Sequence, residues 1–255
     1  MDYSHFVPAI CFPIAHHYNS FAHDILCCEQ EMSFVRHFTK NTVGNDYVVG
    51  DIHGCFNKLT IKLQEIGFNP GVDRLFSVGD LVDRGPESEE AYEWLSKPWF
   101  HAVKGNHEQM AIDHFQGYGD ASIYVYNGGA WFLAMTKPEQ RLFVDEFSAM
   151  PLAIDVETEH GLIGIIHAEC PTKDWAELDE ALHNHNAVAY ENVAMWNRDK
   201  INYKDESVVD GIHKLFVGHT PLKKVVELGN VIYIDTAACF NGKFTVYNLN
   251  TLEEV

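Results

Sequence analysis

The sequence predicts an α/β fold made of two packed, mixed β-sheets flanked by helices. Three apolar runs that read as buried strands end in Gly50-Asp51-Ile52-His53-Gly54, Gly79-Asp80-Leu81-Val82-Asp83-Arg84-Gly85 and Gly105-Asn106-His107-Glu108. These segments recur about every 25–30 residues, close to one strand–helix–strand unit. Beyond them, short strands follow one another closely, which adds a second sheet.

The elements follow in order. Tyr47-Val48-Val49 is a short strand running into the first loop. Phe56, Leu59, Leu63 and Ile66 recur at helical spacing, and Gly67 stops that helix. Leu75 to Val78 is the second strand. Glu87 to Leu95 reads as a helix opened by Pro86 and an acidic first turn. Phe100 to Val103 is the third strand, with a helix over Glu108 to Phe115. The stretch Gly117 to Met150 is mainly helical, with Leu142, Phe143, Phe147 and Met150 on one apolar face. Leu152 to Val156 and Leu162 to Ile166 form a hairpin across Thr158-Glu159-His160-Gly161. Pro171 to Asn192 is polar and reads as a helix or cap. Leu215 to Val217, Val225 to Leu228, Val231 to Asp235 and Phe244 to Leu249 are the last strands.

Residues 1–44 differ from this pattern. They carry His5, His16, His17, His23 and His37 and three cysteines, with weak periodicity. Their spacing matches no zinc pattern. Phe21 to Phe38 offers at best a poor helix, so 1–44 reads as a loosely ordered extension and 45–255 as one domain. No secretory leader is recognisable.

Of 255 residues, 37 are acidic and 18 basic, a formal charge of -19. Such a field repels a polyanionic backbone, so nucleic acid is excluded as a general partner. No run approaches the ~18 apolar residues that cross a membrane. The six cysteines lack CxxC spacing and disulfide density, which predicts reduced thiols and a cytoplasmic location.

In an open α/β sheet, loops at strand C-termini share one rim, where ligands bind. Here that rim gathers carboxylate, imidazole and amide groups, the donors preferred by hard and borderline divalent ions. Asp51 and His53 reach one ion from a single loop. Asp80 has two oxygens and can bridge two ions, and Asn106 offers a carbonyl oxygen to the second. His167 and His219 end later strands and complete the set.

The three motifs, with Asn127-Gly128-Gly129, Trp196-Asn197-Arg198 and Gly218-His219-Thr220-Pro221, resemble those of the PPP-type metallophosphoesterases. The nearest resemblance is to the subgroup of the bacteriophage lambda phosphatase and its small enterobacterial relatives, from about Tyr47 to Leu249. It implies a calcineurin-like, four-layer α/β/β/α catalytic domain. It also implies two divalent ions, Mn(II) first with iron or zinc as alternatives. Asp51, His53 and Asp80 would hold one ion, and Asp80, Asn106, His167 and His219 the other. A hydroxide bridging them would attack phosphorus in line. His107 matches the general acid and Asp83 the carboxylate that orients it. Arg84 and Arg198, with Asn106, match the phosphate-binding groups. The expected activity is a metal-dependent phosphomonoesterase acting on phosphoprotein or phosphopeptide Ser/Thr sites, with some phosphotyrosine activity. The alternative is a symmetrical dinucleoside tetraphosphate hydrolase, whose relatives tend to have alanine where Asp83 stands. A catalytically inactive phosphate-sensing module would lack a ligand or the acid, and none is missing. One departure is Ala237, where the relatives have glycine.

Overall fold

The computed structural model of the protein describes residues 33–255. The N-terminal histidines and cysteines before Ser33, and most of the helix expected over Phe21 to Phe38, lie outside these residues.

Strand β1 (Val35–Phe38) is followed by β2 (Asp46–Val49), α1 (Phe56–Glu65), β3 (Arg74–Ser77), α2 (Ala91–Leu95) and β4 (Phe100–Ala102). Helices α3 (Asn106–Gln116), α4 (Ala121–Tyr126), α5 (Ala130–Leu133) and α6 (Lys137–Ser148) make the middle. The hairpin is β5 (Ala153–Thr158) and β6 (Gly161–Ile166). Then come α7 (Leu178–His183), α8 (Ala187–Trp196), α9 (Asp199–Tyr203), β7 (Lys214–Val217), β8 (Val226–Leu228), β9 (Val231–Tyr233), β10 (Val246–Asn248) and β11 (Glu253–Glu254).

Two mixed sheets result, ordered β1-β5-β6-β7-β9-β8 and β11-β10-β2-β3-β4. Side-chain alternation explains their stacking. Val48, Phe76, Ile154, Val156, Ile163, Ile165, Phe216 and Ile232 face between the sheets in one core. Their neighbours Tyr47, Val49 and Leu75 point outward to meet Phe56 and Leu59 of α1, Trp94 of α2 and Phe143 and Phe147 of α6. On the other outer face, Leu215, Val217, Val231 and Tyr233 meet Leu178 and Leu182 of α7 and Met195 of α8. Strands buried on both faces read as continuous apolar runs, which is why β2, β3 and β7 stand out in the sequence. The order is helix, sheet, sheet, helix, as expected.

Three expectations need correction. Residues 35–38, assigned to the loose extension and its poor helix, form an edge strand parallel to β5, with Val35 opposite Ala153. The segment places two exposed polar residues between two partly buried apolar ones and has no strand-like alternation, so its signal is weak. In α6 the buried face is Gln140, Phe143, Val144 and Phe147, while Leu142 is 53% exposed. At 100° per residue, Leu142 lies outside the stripe set by that 3-1-3 spacing. Helix α3 starts at Asn106, not Glu108, so Asn106 and His107 sit on its first turn.

Candidate metal centre

Every site residue named from the sequence arrives at one rim. Asp51 and His53 follow β2, Asp80, Asp83 and Arg84 follow β3, and Asn106 and His107 open α3 behind β4. His167 follows β6 and His219 follows β7 in the other sheet. All but Arg84 and Arg198 are buried.

Two groups of candidate ligand atoms each lie within 4.8 Å: His53, Asp80 and His107, and Asp80, His167 and His219. Asp80 belongs to both, the position expected of a bridging carboxylate. Its Oδ2 lies 3.6 Å from His53 Nε2 and 3.8 Å from His107 Nε2, and its Oδ1 lies 3.4 Å from His167 Nε2. Asp51 stands beside the first group, with Oδ2 3.9 Å from His53 Nε2. Its carboxylate accepts the backbone N–H of His219 at 3.1 and 3.2 Å, which ties the two sheets' loops together.

Proton accounting tests whether a cation fits. His167 Nδ1–H donates to the Val78 carbonyl at 2.7 Å, leaving Nε2 as a bare lone pair. His219 Nε2–H donates to the Trp196 carbonyl at 3.1 Å, leaving Nδ1 bare. Both bare nitrogens lie 2.9 Å from Asn106 Oδ1. These atoms and Asp80 Oδ1 are all acceptors aimed at one another, which is unfavourable in a buried space unless a cation joins them. His53 repeats the pattern, since its Nδ1–H donates to the Val82 carbonyl at 2.9 Å and frees Nε2. Arg84 also reaches that nitrogen, at 2.5 Å. The donor set therefore fits two divalent ions of borderline or hard character.

The titration of these groups agrees. Burial pulls His53 down to about 3, against the attraction of Asp80. Burial, then the neighbouring His167, pulls His219 down to about 3. His167 is also lowered, by burial first. Burial opposes ionisation of Asp80, but the fields of His167, His107 and His53 outweigh it and hold the carboxyl low. Asp51 is raised by burial and by the charges of Asp235 and Asp80. His107 goes the other way. Burial works against its cation, yet Asp80 and the hydrogen bond to Asp83 raise it above the usual imidazole value. That bond, His107 Nδ1 to Asp83 Oδ2, is 2.7 Å long. Arg198 borders the rim through a 3.2 Å bond from Nη2 to the His219 carbonyl.

The loops are held under backbone strain. Among the described residues, eight that are not glycine have positive φ, and six of them line this rim: His53, Asp80, Asp83, Arg84, His219 and Ala237. Such clustering is characteristic of sites where surrounding structure fixes an otherwise costly geometry. Ala237, with φ of 58°, takes the left-handed conformation that glycine adopts freely. Gly105 meets the opposite requirement, since a Cβ there would lie 2.3 Å from Asp80 Oδ1.

Three supporting residues were not assigned from the sequence. Glu108 is buried, and its carboxylate accepts the N–H groups of Gly105 at 2.8 Å, Asp80 at 3.0 Å and Leu81 at 2.8 Å. It thus locks two motif loops together. Burial and Asp80 push it up to about 7. Its signal was the Gly-x-x-Glu spacing of a helix start. Asp235, two residues past β9, lies beside Asp51 and accepts the Ala237 N–H at 2.9 Å. Trp131 Nε1–H donates to Asp83 Oδ1 at 2.6 Å.

Comparison with known proteins agrees with this geometry. Residues 47–244 match the family described as calcineurin-like phosphoesterase. The chain is 37% identical over 206 residues to "Serine/threonine-protein phosphatase 1" of Salmonella typhimurium, covering 78% of this chain and 89% of that protein. It is 24% identical over 262 residues to "Bis(5'-nucleosyl)-tetraphosphatase, symmetrical" of Neisseria meningitidis, covering 81% and 93%. A solved structure described as a putative diadenosine tetraphosphatase superposes with a TM-score of 0.62 at 19% identity, covering 88% of this chain and 96% of the other. At that identity the likeness is one of fold.

Proposed function

The chain belongs to the calcineurin-like phosphoesterase family, and from that premise we propose that it is a protein phosphatase acting on phosphoserine and phosphothreonine, with some phosphotyrosine activity. The observation that carries this reading is the 2.7 Å bond between Asp83 and His107. A serine or threonine alkoxide is a poor leaving group and needs a proton as the P–O bond breaks. A nucleoside diphosphate leaving from a phosphoanhydride needs far less help. A buried imidazole whose pKa a carboxylate partner raises suits the first task. Over about four-fifths of the chain, 37% identity to a Ser/Thr phosphatase against 24% to a tetraphosphatase points the same way.

In this reading Asp51, His53 and Asp80 hold one divalent ion, and Asp80, Asn106, His167 and His219 the second. When bound, the pair supplies a water acidified towards pKa ~7 and positive charge for the phosphoryl oxygens. The mixed oxygen and nitrogen donors favour Mn(II), with iron or zinc as alternatives. Arg84 and Arg198 grip the phosphate, as planar forks able to bond two oxygens at once. Asn106 adds a polar contact to it. Arg84 is steadied by the Phe240 ring, 5.6 Å from its Cζ. His107 delivers its Nε2 proton to the departing oxygen, and Asp83 fixes the ring through its bond to Nδ1. The substrate partner is a phosphoprotein segment. Cys55, Cys170 and Cys239 are free thiols, which supports a cytoplasmic setting. Among the described residues no helix is long and apolar enough to cross a membrane.

A substrate panel at one pH and one Mn(II) concentration tests the proposal. The kcat/KM on a phosphoserine peptide is expected to exceed that on diadenosine tetraphosphate by at least ~10-fold, about 1.4 kcal/mol. Faster cleavage of the dinucleotide, with ADP as the only product, replaces this reading with the tetraphosphatase one.

A further inference from the structure

The Asn127-Gly128-Gly129 turn and the residues after it contribute no ligand and no phosphate contact to the site. Their geometry is nevertheless highly constrained. Gly128 has φ of 103°, and a Cβ there would lie 2.2 Å from the Arg84 backbone nitrogen. A Cβ on Gly129 would lie 2.3 Å from the Tyr124 ring. Gly128 therefore permits a close approach of backbone to the loop that carries Asp83 and Arg84, and Gly129 lets the turn pack against the Tyr124 ring. The approach sets the start of α5, and with it Trp131. The Trp131 ring is wedged against Phe132 and Phe143, at 5.6 and 5.2 Å between centroids. Its Nε1–H meets Asp83 Oδ1 at 2.6 Å, while the other oxygen of the same carboxylate meets His107. Asp83 itself is completely buried and sits at φ of 70°.

We propose that Trp131, delivered by the double-glycine turn, is a positioning residue for the general acid. It acts through Asp83 and touches neither substrate nor metal ligand. A carboxylate held by one imidazole alone can rotate about its terminal torsion. A second donor on the opposite oxygen removes that freedom, so the imidazole is presented at one angle. The indole also occupies one acceptor position on the oxygen that does not bond His107. The inference rests on His107 being the acid.

The test compares leaving groups. Trp131→Phe keeps the ring packing and removes only the donor. On a phosphoserine peptide kcat is expected to fall ~10-fold or more, part of the ~10²–10⁴ a general acid supplies. On an activated aryl phosphate, which leaves without a proton, the fall is expected to stay within about 3-fold. Introduced into Asp83→Asn, the same substitution is expected to add nothing, because the two act as one unit. Equal losses on both substrates, or additive losses in the double variant, overturn the proposal. If His107→Asn shows the leaving-group selectivity and Trp131→Phe does not, the positioning role alone is refuted. If His107→Asn shows none, the acid assignment falls first. The intact protein gives a further readout should Trp131→Phe fail to fold. A carboxylate-bound indole N–H predicts a downfield, slowly exchanging proton resonance, and a fast-exchanging one refutes the bond.

Discussion

Four buried histidines surround Asp80, and the two sides of the centre use them differently. On the side of His167 and His219, each ring gives its one proton to a backbone carbonyl, of Val78 or Trp196, and turns a bare nitrogen inward. His53 likewise gives its proton to Val82, while its other nitrogen accepts from Arg84. On the side of His107 the outer partner is the Asp83 carboxylate. Burial alone pushes all four rings towards neutrality, and three of them follow it. Only His107 is raised, by Asp80 and Asp83. In the roles proposed above, the neutral carbonyls would orient ligands and the charged carboxylate would favour a proton donor, so the outer partner of each imidazole would separate the two roles.

That contrast is open to attack at each level. Asp80→Asn strikes both sides, because Asp80 faces both groups. Metal content and turnover are expected to fall together, by more than the ~10–100-fold that losing an outer partner of a ligand costs. Elemental analysis and kcat on the same preparation check this, and two full metal equivalents with normal turnover would break the bridging assignment. His107→Asn and His219→Asn then separate the sides. The first is expected to keep its metal and lose ~10²–10⁴-fold on an alkyl phosphate but little on an activated aryl phosphate. The second is expected to lose metal and both activities. Matching behaviour of the two variants would erase the distinction.

The smallest expected effect comes from a surface version of the same pair. His37 on β1 bonds Asp155 on β5, with the histidine side chain 50% exposed. The hydrogen bond to Asp155 raises the imidazole, against some desolvation. Its folded value exceeds the ordinary 6.5, so the stabilisation is complete below pH 6.5 and is lost as pH rises through the folded value. Solvent screening limits such a pair to ~0–1 kcal/mol. Melting of the wild-type protein against His37→Ala is expected to differ by at most ~2–4 °C at pH 6. At pH 9 the difference should vanish, and a gap that widens there would reverse the sign argued for the pair.

What could be read from the chain alone divides along physical lines. Asp51, His53, Asp80, Asp83, Asn106 and His107 sit in glycine-flanked loops behind continuous apolar strands, so local pattern alone locates them. His167 and His219 are legible only because those loops already imply a centre that needs ligands. Trp131 and Asp235 act through contacts made across the fold, at sequence separations of 48 and more, and carry no local mark. Strand β1 is hard to see because its four residues, Val-Arg-His-Phe, put one apolar side chain on each face, Val35 on one and Phe38 on the other, with no alternating pattern. Leu142 misled because apolar composition was credited to the stripe without its angular position.

The division of the ligand set between two sheets has a consequence for the order in which the protein is made. Strands β2, β3 and β4 are adjacent and parallel, and they deliver Asp51, His53, Asp80, Asn106 and His107 within the first half of the chain. His219 follows Asp80 by 139 residues. At translation rates of ~5–20 residues per second, that interval is about 7–28 s. During it the growing chain carries the first sheet's share of the centre, including the acid, without the imidazole that completes the second ion's ligands. With the proposed ligand set, full metal loading would be a late event, tied to closure of the second sheet, and metal retention would gauge whether synthesis and folding have run to the end.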